Sequence, residues 1–171
     1  MPSTTLISES TAQPDSASIS SMPAAYGDWL ESRPWQAFAS LSFRDAGITI
    51  DHAKASFATY MRRLEDKLRC PVAYFAALEH RDAIGTLHTI APHWHAVLAT
   101  AEPKRKALID TATSSWNIHY GNGLIEPFRP GAGGCGYICK SSRSELDFMT
   151  SNMDRFATMP PSSMSAPAGA L

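Results

Sequence analysis

The chain has 171 residues, of which 44% are hydrophobic and 18% charged, and its formal net charge at pH 7 is −1. This length favours one domain that buries a substantial core without disulfides or a structural metal. Three cysteines cannot all pair, which favours a reducing compartment. No apolar run approaches the roughly 18 residues of a membrane span, so the sequence predicts a cytoplasmic protein with no membrane partner.

The charges are unevenly distributed along the chain. All 15 Lys and Arg residues lie between positions 33 and 155, whereas four acidic residues precede position 33, so this window carries a net charge of +3. A nucleic-acid partner usually requires a basic surface. The overall charge of −1 therefore does not exclude such a partner.

Both ends of the chain have a composition typical of disorder. Ser and Thr supply ten of the first 22 residues, and residues 157–171 are again rich in Ser and Pro. Such segments bury too little apolar surface to offset the cost of ordering. We predict a disordered tail over residues 1–28, a folded domain over 30–156, and a second disordered tail over 157–171.

The first half of the folded domain alternates between strand and helix periodicity. Residues 35–43 alternate with period two, which predicts a strand. Asp51 is the predicted N-cap of a helix that continues to the residues before Pro71. The apolar positions of that helix recur at helical spacing and are Ala53, Phe57, Met61, Leu64 and Leu68.

The second half contains the remaining predicted elements. Residues 72–78 and 95–99 are short apolar runs that predict two paired antiparallel strands, and residues 103–116 predict a helix with Leu108, Ala112 and Trp116 on one face. A turn at 121–123, a strand at 124–128 and a flexible glycine-rich approach at 131–136 precede a last helix that begins near Tyr137. The predicted order is β-α-β-β-α-β-α, an α+β domain with a central antiparallel sheet and flanking helices.

A histidine pair is the strongest local feature. His93 and His95 lie at the start of a predicted strand, so both side chains point to one face while Trp94 points to the other. Imidazole is the commonest metal ligand. Glu79 closes the preceding strand, and an antiparallel neighbour could bring its carboxylate beside the pair to complete a three-ligand site with open positions. Two other histidines, His80 and His88, are alternatives for the third position.

A tyrosine with a nearby lysine is the second candidate. Tyr137 and Lys140 are three residues apart on a predicted helix and therefore share a side of it. A phenol becomes a useful nucleophile only when something stabilises its phenolate, and such a lysine can do so. The alternative interpretation is a core tyrosine beside a solvated lysine. Cys135 and Cys139 are interpreted as small apolar residues, since no second cysteine pair completes a metal site.

The order of these features resembles that of a known superfamily. The run WQAFASLSF is followed by AALEH, then by HWHAVL, then by Trp116 with Tyr120-Gly121, and finally by Tyr137-Ile138-Cys139-Lys140. This series, over about residues 35–148, resembles the HUH endonucleases, and more narrowly the rolling-circle replication-associated (Rep) proteins of small plasmids and single-stranded DNA phages. The resemblance implies a ferredoxin-like variant of the α+β fold.

The resemblance also implies a reaction and roles for individual residues. His93, His95 and Glu79 would hold Mg²⁺ or Mn²⁺ on the scissile phosphate of single-stranded DNA at an origin or hairpin. Tyr137 would attack, giving a 5′-phosphotyrosine and a free 3′-hydroxyl, with Lys140 positioning the phosphate or stabilising the phenolate. Residues expected to contact DNA are Ser40, Ser42 and Arg44.

The resemblance further implies partners and a setting. The chain has no P-loop pattern, so a separate helicase would unwind the duplex and a host polymerase would extend the 3′ end. The expected setting is the cytoplasm of a bacterial cell, with the chain encoded by a plasmid or phage. Two other functions stay open from the sequence, namely a zinc-dependent hydrolase and a non-catalytic DNA-binding regulator on the same fold.

Overall fold

The computed structural model describes residues 22–80, 91–101, 104–139 and 147–153. They form an α+β fold with a five-stranded antiparallel sheet and helices on both of its faces. The elements in chain order are α1 (Met22–Glu31), β1 (Ala37–Phe43), α2 (Ile50–Leu68), β2 (Val72–Glu79), β3 (His93–Thr100), α3 (Arg105–His119), β4 (Gly121–Pro127), α4 (Gly134–Cys139) and β5 (Asp147–Ser151).

The histidine-bearing strand β3 lies at the centre of the sheet. The strand order is β4-β1-β3-β2-β5, so β3 pairs with β1 on one side and with β2 on the other. The predicted fold class and the predicted order β-α-β-β-α-β-α are confirmed, from β1 to α4. Two elements lie outside that prediction, α1 before it and β5 after it.

One face of the sheet carries the larger core. Helices α2 and α3 pack against it, and the apolar positions predicted for both helices are buried there or packed against it. Trp94 on β3 is fully buried on this face, where its ring stacks on Phe57 of α2 with the centroids 4.5 Å apart. The strand that carries the histidine pair is therefore anchored from behind by a large aromatic contact.

The opposite face is covered by α1 and α4. Its apolar cluster joins Leu30 of α1, Val97 of β3 and the buried side of α4, formed by Cys135, Ile138 and Cys139. The strand ends that carry Glu79 and His93 are outside this cluster. This leaves one end of the sheet face with polar side chains, and α4 ends close to it.

The predicted N-cap of α2 is wrong by two residues, since it is Thr49 and not Asp51. The Thr49 hydroxyl accepts a hydrogen bond from the His52 amide, and Asp51 lies in the first turn instead. An acidic residue there is stabilised by the helix dipole, which is why the same signal fits either position. Helix α2 ends as predicted before Pro71, with Arg69 in the left-handed region at φ 54°.

The predicted turn at residues 121–123 is part of strand β4. Gly121 is needed there because a Cβ atom would lie 2.1 Å from the Ser42 carbonyl oxygen. Gly123 packs in the same way against the side chains of Leu41 and Trp116. The glycines allow close approach of β4 to β1 and α3, whereas the sequence pattern had suggested chain reversal.

The last helix begins at Gly134 rather than near Tyr137. Of the glycines in this segment, only Gly131 and Gly133 have positive φ, at 76° and 79°, and they form the turn before the helix. The Tyr137 amide then donates to the Gly133 carbonyl, which is a helical hydrogen bond. Burial of Cys135 and Ile138 on the same side explains why the helix starts within the glycine-rich segment.

Helix α1 begins inside the region predicted to be a disordered tail, since Met22 to Asp28 belong to it. Leu30 is buried, and it lies at the end of a helix whose other residues are mostly exposed. Residues 1–21 and 157–171 of the two predicted tails lie outside the described residues. Among the described helices, none is long and apolar enough to cross a membrane.

Candidate metal centre and nucleophile

Strand register places the predicted metal ligands next to each other. Glu79 on β2 lies directly opposite His93 on β3, and Ala77 lies opposite His95. Because side chains two residues apart share a face, Glu79, His93 and His95 all point to the face that α4 partly covers. The structure therefore brings together the three residues that the sequence singled out.

The three side chains converge on Glu79. Its Oε2 atom lies 3.3 Å from His93 Nε2 and 3.2 Å from His95 Nε2. One ligand atom from each residue lies within 4.8 Å of the others, which is the spacing of atoms around a single ion. Glu79 and His95 are more than nine-tenths buried, while His93 is about one-quarter exposed, so the cluster opens to solvent on the side of His93.

The outer nitrogens of both imidazoles are also engaged. His93 Nδ1 donates to the Ala91 carbonyl oxygen over 3.0 Å, and His95 Nδ1 shares a hydrogen bond with Ser40 Oγ over 3.1 Å. A metal-binding histidine normally uses one ring nitrogen for the ion and the other for such a partner. Both rings are therefore oriented with Nε2 toward Glu79, as ligation requires.

The donor set fits a divalent cation. Two imidazole nitrogens and one carboxylate oxygen leave coordination positions for water or a substrate oxygen. Carboxylate oxygen suits Mg²⁺ and Mn²⁺, and imidazole suits Zn²⁺ and other transition metals. The residues present thus accommodate the predicted Mg²⁺ or Mn²⁺, and they accommodate zinc as well.

Tyr137 lies directly beside this cluster. Its ring packs edge-on against His95, with centroids 4.7 Å apart and an interplanar angle of 90°. It is 43% exposed, whereas Cys135, Ile138 and Cys139 on the other sides of α4 are buried. The burial of those three residues directs Tyr137 outward, over the edge of the cluster.

Helix α1 holds α4 in this position. The backbone amide of Gly131 donates to the Glu31 carboxylate, which ties the turn before α4 to the end of α1. Gly27 packs on Gly136 so closely that a Cβ on Gly27 would lie 3.3 Å from Gly136 Cα. This role of α1 was not predicted, although Gly27 and the buried Leu30 lie at helical spacing on one side of the helix.

Burial raises the pKa of the Cys135 thiol above its usual range, and a hydrogen bond to the Glu31 side chain raises it further. Burial also raises the pKa of Cys139. Neutral, buried thiols behave as small apolar groups. This agrees with the interpretation of Cys135 and Cys139 as core residues.

The predicted DNA contacts occupy three different environments. Ser40 is half-buried and bonded to His95, whereas Ser42 is exposed and donates to the Asn122 carbonyl oxygen over 3.1 Å. Arg44 lies beyond the end of β1, where its guanidinium donates to the Asn117 carbonyl oxygen. Ser40 and Ser42 line a cleft of about 310 Å³ that also contains His93 and Leu124.

The remaining candidates are separated from the cluster or lie outside the described residues. His80 follows β2 and lines a different cavity, beside Thr49 and the start of α2. His88 and Lys140 lie outside the described residues. Within the described residues, Glu79, His93 and His95 form the one group of side chains that could hold a metal ion.

Comparisons of the chain with known protein families, with curated proteins and with solved structures find no match.

Proposed function

We propose that the protein is a metal-dependent endonuclease that nicks single-stranded DNA by attack of Tyr137. The observation that carries the proposal is the position of His95, whose ring contacts Glu79 on one side and Tyr137 on another. The proposed nucleophile is therefore in direct contact with one of the candidate metal ligands. The order of sequence motifs that resembles the HUH endonucleases supports the same function.

His93, His95 and Glu79 are the residues that would hold the ion. A divalent cation bound there supplies a Lewis acid for a non-bridging phosphate oxygen. The protein's own contribution is orientation, since Ala91 and Ser40 hold the two rings with Nε2 toward Glu79. The partial exposure of His93 leaves a side from which a phosphate can approach.

Tyr137 would carry the covalent step. Its Oη atom forms a bond to phosphorus while the bond from phosphorus to the 3′ oxygen breaks. The phenol loses its proton to solvent and the departing 3′ oxygen takes one up, so a phosphodiester is exchanged for a 5′-phosphotyrosine and a free 3′-hydroxyl. Lys140, three residues on, stays a predicted phosphate or phenolate partner.

The cleft beside His93 would take the DNA strand. It combines the polar Ser42 and Asn122 with Leu124, which is 63% exposed and offers an apolar surface for a base. Proteins that bind single strands commonly combine charged contacts to the backbone with side-chain surfaces on which bases pack, for which aromatic rings are the usual choice. Arg44, which follows the last residue of β1, adds a positive charge two residues from Ser42.

The decisive experiment incubates the protein with a pool of single-stranded oligonucleotides and Mn²⁺ and looks for a protein–DNA species that survives denaturation. We expect the parent to form it and Tyr137→Phe to form none. Tyr26→Phe is the matched control, because Tyr26 is a comparably exposed tyrosine on a different helix, α1, and it should react like the parent. A Tyr137→Phe protein that still forms the adduct would show that the nucleophile is another residue.

Two outcomes favour the other candidate functions. Two histidines and a glutamate also form a common zinc-hydrolase ligand set, so a protein that purifies with zinc and cleaves without an adduct is a hydrolase. Binding of single-stranded DNA without cleavage, with Tyr137 dispensable, favours a non-catalytic DNA-binding regulator. Elemental analysis without chelators and cleavage assays with Mn²⁺ and with Zn²⁺ distinguish them.

A further inference from the structure

The two histidines of the cluster are held by different kinds of outer partner. His93 Nδ1 faces the Ala91 backbone carbonyl, which accepts hydrogen bonds and cannot be removed by mutation. His95 Nδ1 faces the hydroxyl of Ser40, a side chain contributed by the neighbouring strand β1. One ligand is thus oriented by the backbone just before its own strand and the other by a side chain of a different strand.

The position of Ser40 follows from the sheet register. Ser40 lies directly opposite His95 in the pairing of β1 with β3, on the face shared by the cluster. Cross-strand partners have Cβ atoms about 5 Å apart, which suits a hydrogen bond between a short hydroxyl side chain and the near nitrogen of an imidazole. With that contact made, the far nitrogen Nε2 points at Glu79.

We propose that Ser40 is a positioning residue for the metal site, and that its hydroxyl holds the His95 ring so that Nε2 is presented to the ion. The inference rests on the proposed metal site and assigns Ser40 a role other than DNA contact. When Nε2 binds a metal, the ring proton resides on Nδ1 and is donated to Ser40 Oγ. A hydroxyl can also donate, so the contact persists when the proton is on Nε2.

The expected size of the effect follows from comparable outer partners. Loss of such a partner typically lowers metal affinity about 10- to 100-fold. Ser40→Ala removes the hydroxyl and leaves a half-buried position that alanine fills without a clash. We therefore expect Mn²⁺ to bind Ser40→Ala at least about 10-fold more weakly than the parent.

The chain offers a matched control on the same strand. Ser42 is two residues away on the same face, opposite His93, but its hydroxyl donates to the Asn122 carbonyl oxygen. Ser42→Ala should therefore leave Mn²⁺ affinity unchanged within about twofold. Ser40→Thr keeps the hydroxyl and suits a strand, so we expect it to restore most of the affinity that Ser40→Ala loses.

The test is a calorimetric titration of the metal-free full chain and its variants with Mn²⁺ alone, supplemented by the imidazole ¹⁵N spectrum of the metal-free proteins. Weak binding by Ser40→Ala, normal binding by Ser42→Ala and Ser40→Thr, and a shift confined to His95 support the proposal. Equal affinity of Ser40→Ala and the parent overturns it, as does an equal loss in Ser42→Ala.

Because the titration contains no DNA, its outcome does not depend on whether the protein is a nuclease. A parent that binds Mn²⁺ through these residues and never forms a DNA adduct overturns the endonuclease and leaves the role of Ser40 intact. A parent that binds no Mn²⁺ overturns both.

Discussion

The candidate metal cluster and the proposed nucleophile are built on very different supports. Glu79, His93 and His95 lie on β2 and β3, two central strands paired along their whole length and backed by Trp94. Tyr137 lies on α4, which spans only Gly134–Cys139. An isolated helix of that length is not stable in water. Its position therefore depends on tertiary contacts with α1 and the sheet.

This contrast means that metal binding and nucleophile placement are separable properties. The register of β2 and β3 determines where the candidate metal ligands lie. The packing of α1 on α4 determines where Tyr137 lies. Variants should therefore be able to change one while leaving the other intact.

Metal binding and adduct formation should be separated most clearly by two single substitutions, one in the metal cluster and one on α4. We expect His95→Ala to weaken Mn²⁺ binding by more than about 100-fold, since even loss of an outer partner costs about 10- to 100-fold. Tyr137→Phe should abolish the DNA adduct and keep Mn²⁺ affinity within about twofold of the parent. Calorimetry and a denaturing gel measure the two properties on the same samples. Loss of metal binding in Tyr137→Phe would show that the two regions are not independent.

A smaller effect should follow from loosening the contact between α1 and α4. Gly27→Val places side-chain atoms against Gly136, where even a Cβ would lie only 3.3 Å from Cα. Overpacking of this kind costs about 1–3 kcal/mol. Adduct formation should fall at least about fivefold while Mn²⁺ affinity is unchanged.

The control for this variant is Gly136→Ala. A Cβ on Gly136 meets no atom within 4 Å, and alanine favours the helix, so α4 should stay in place. Adduct yield equal to that of the parent in both variants would mean that α1 does not position Tyr137.

The smallest effect should come from Glu31→Gln. This change weakens the acceptor for the Gly131 amide by about 1 kcal/mol. It also removes the carboxylate that adds to the effect of burial in raising the pKa of Cys135. A lower pKa means more thiolate at a fixed pH, so alkylation of Cys135 at pH 8 should become faster. Mass spectrometry of labelled peptides measures this, with the half-buried Cys70 as internal reference. An unchanged alkylation rate of Cys135 would show that burial alone, and not Glu31, limits the reactivity of this thiol.

The sequence predicted the sheet-borne half of the site well. Strand periodicity placed His93 and His95 on one face, and the antiparallel pairing of β2 with β3 brought Glu79 opposite His93 as expected. The sequence left His80 and His88 open as third ligands because it does not reveal register. In the structure His80 follows β2, lines another cavity and is not part of the cluster formed by Glu79, His93 and His95.

The helix-borne half was harder to predict. The composition before residue 28 resembles a disordered tail, whereas the packing of Leu30 and Gly27 and the contact of Glu31 with Gly131 show that α1 belongs to the fold. The glycines at 131–136 suggested flexibility because glycine permits many conformations. In the structure Gly134 packs on Phe38 and Gly136 packs on Gly27 of α1, and these contacts accompany the helical conformation. No local sequence pattern reveals such contacts.

The pairing of Glu79 with His93 also has a consequence for how the chain tolerates change in length. These residues meet because β2 and β3 are in register, with Leu78 opposite Trp94 and Ala77 opposite His95. The number of residues that connect the two strands does not enter that geometry. What matters is the register within the strands: a single-residue insertion or deletion inside β2 would carry Glu79 to the face of the sheet opposite His93 and His95.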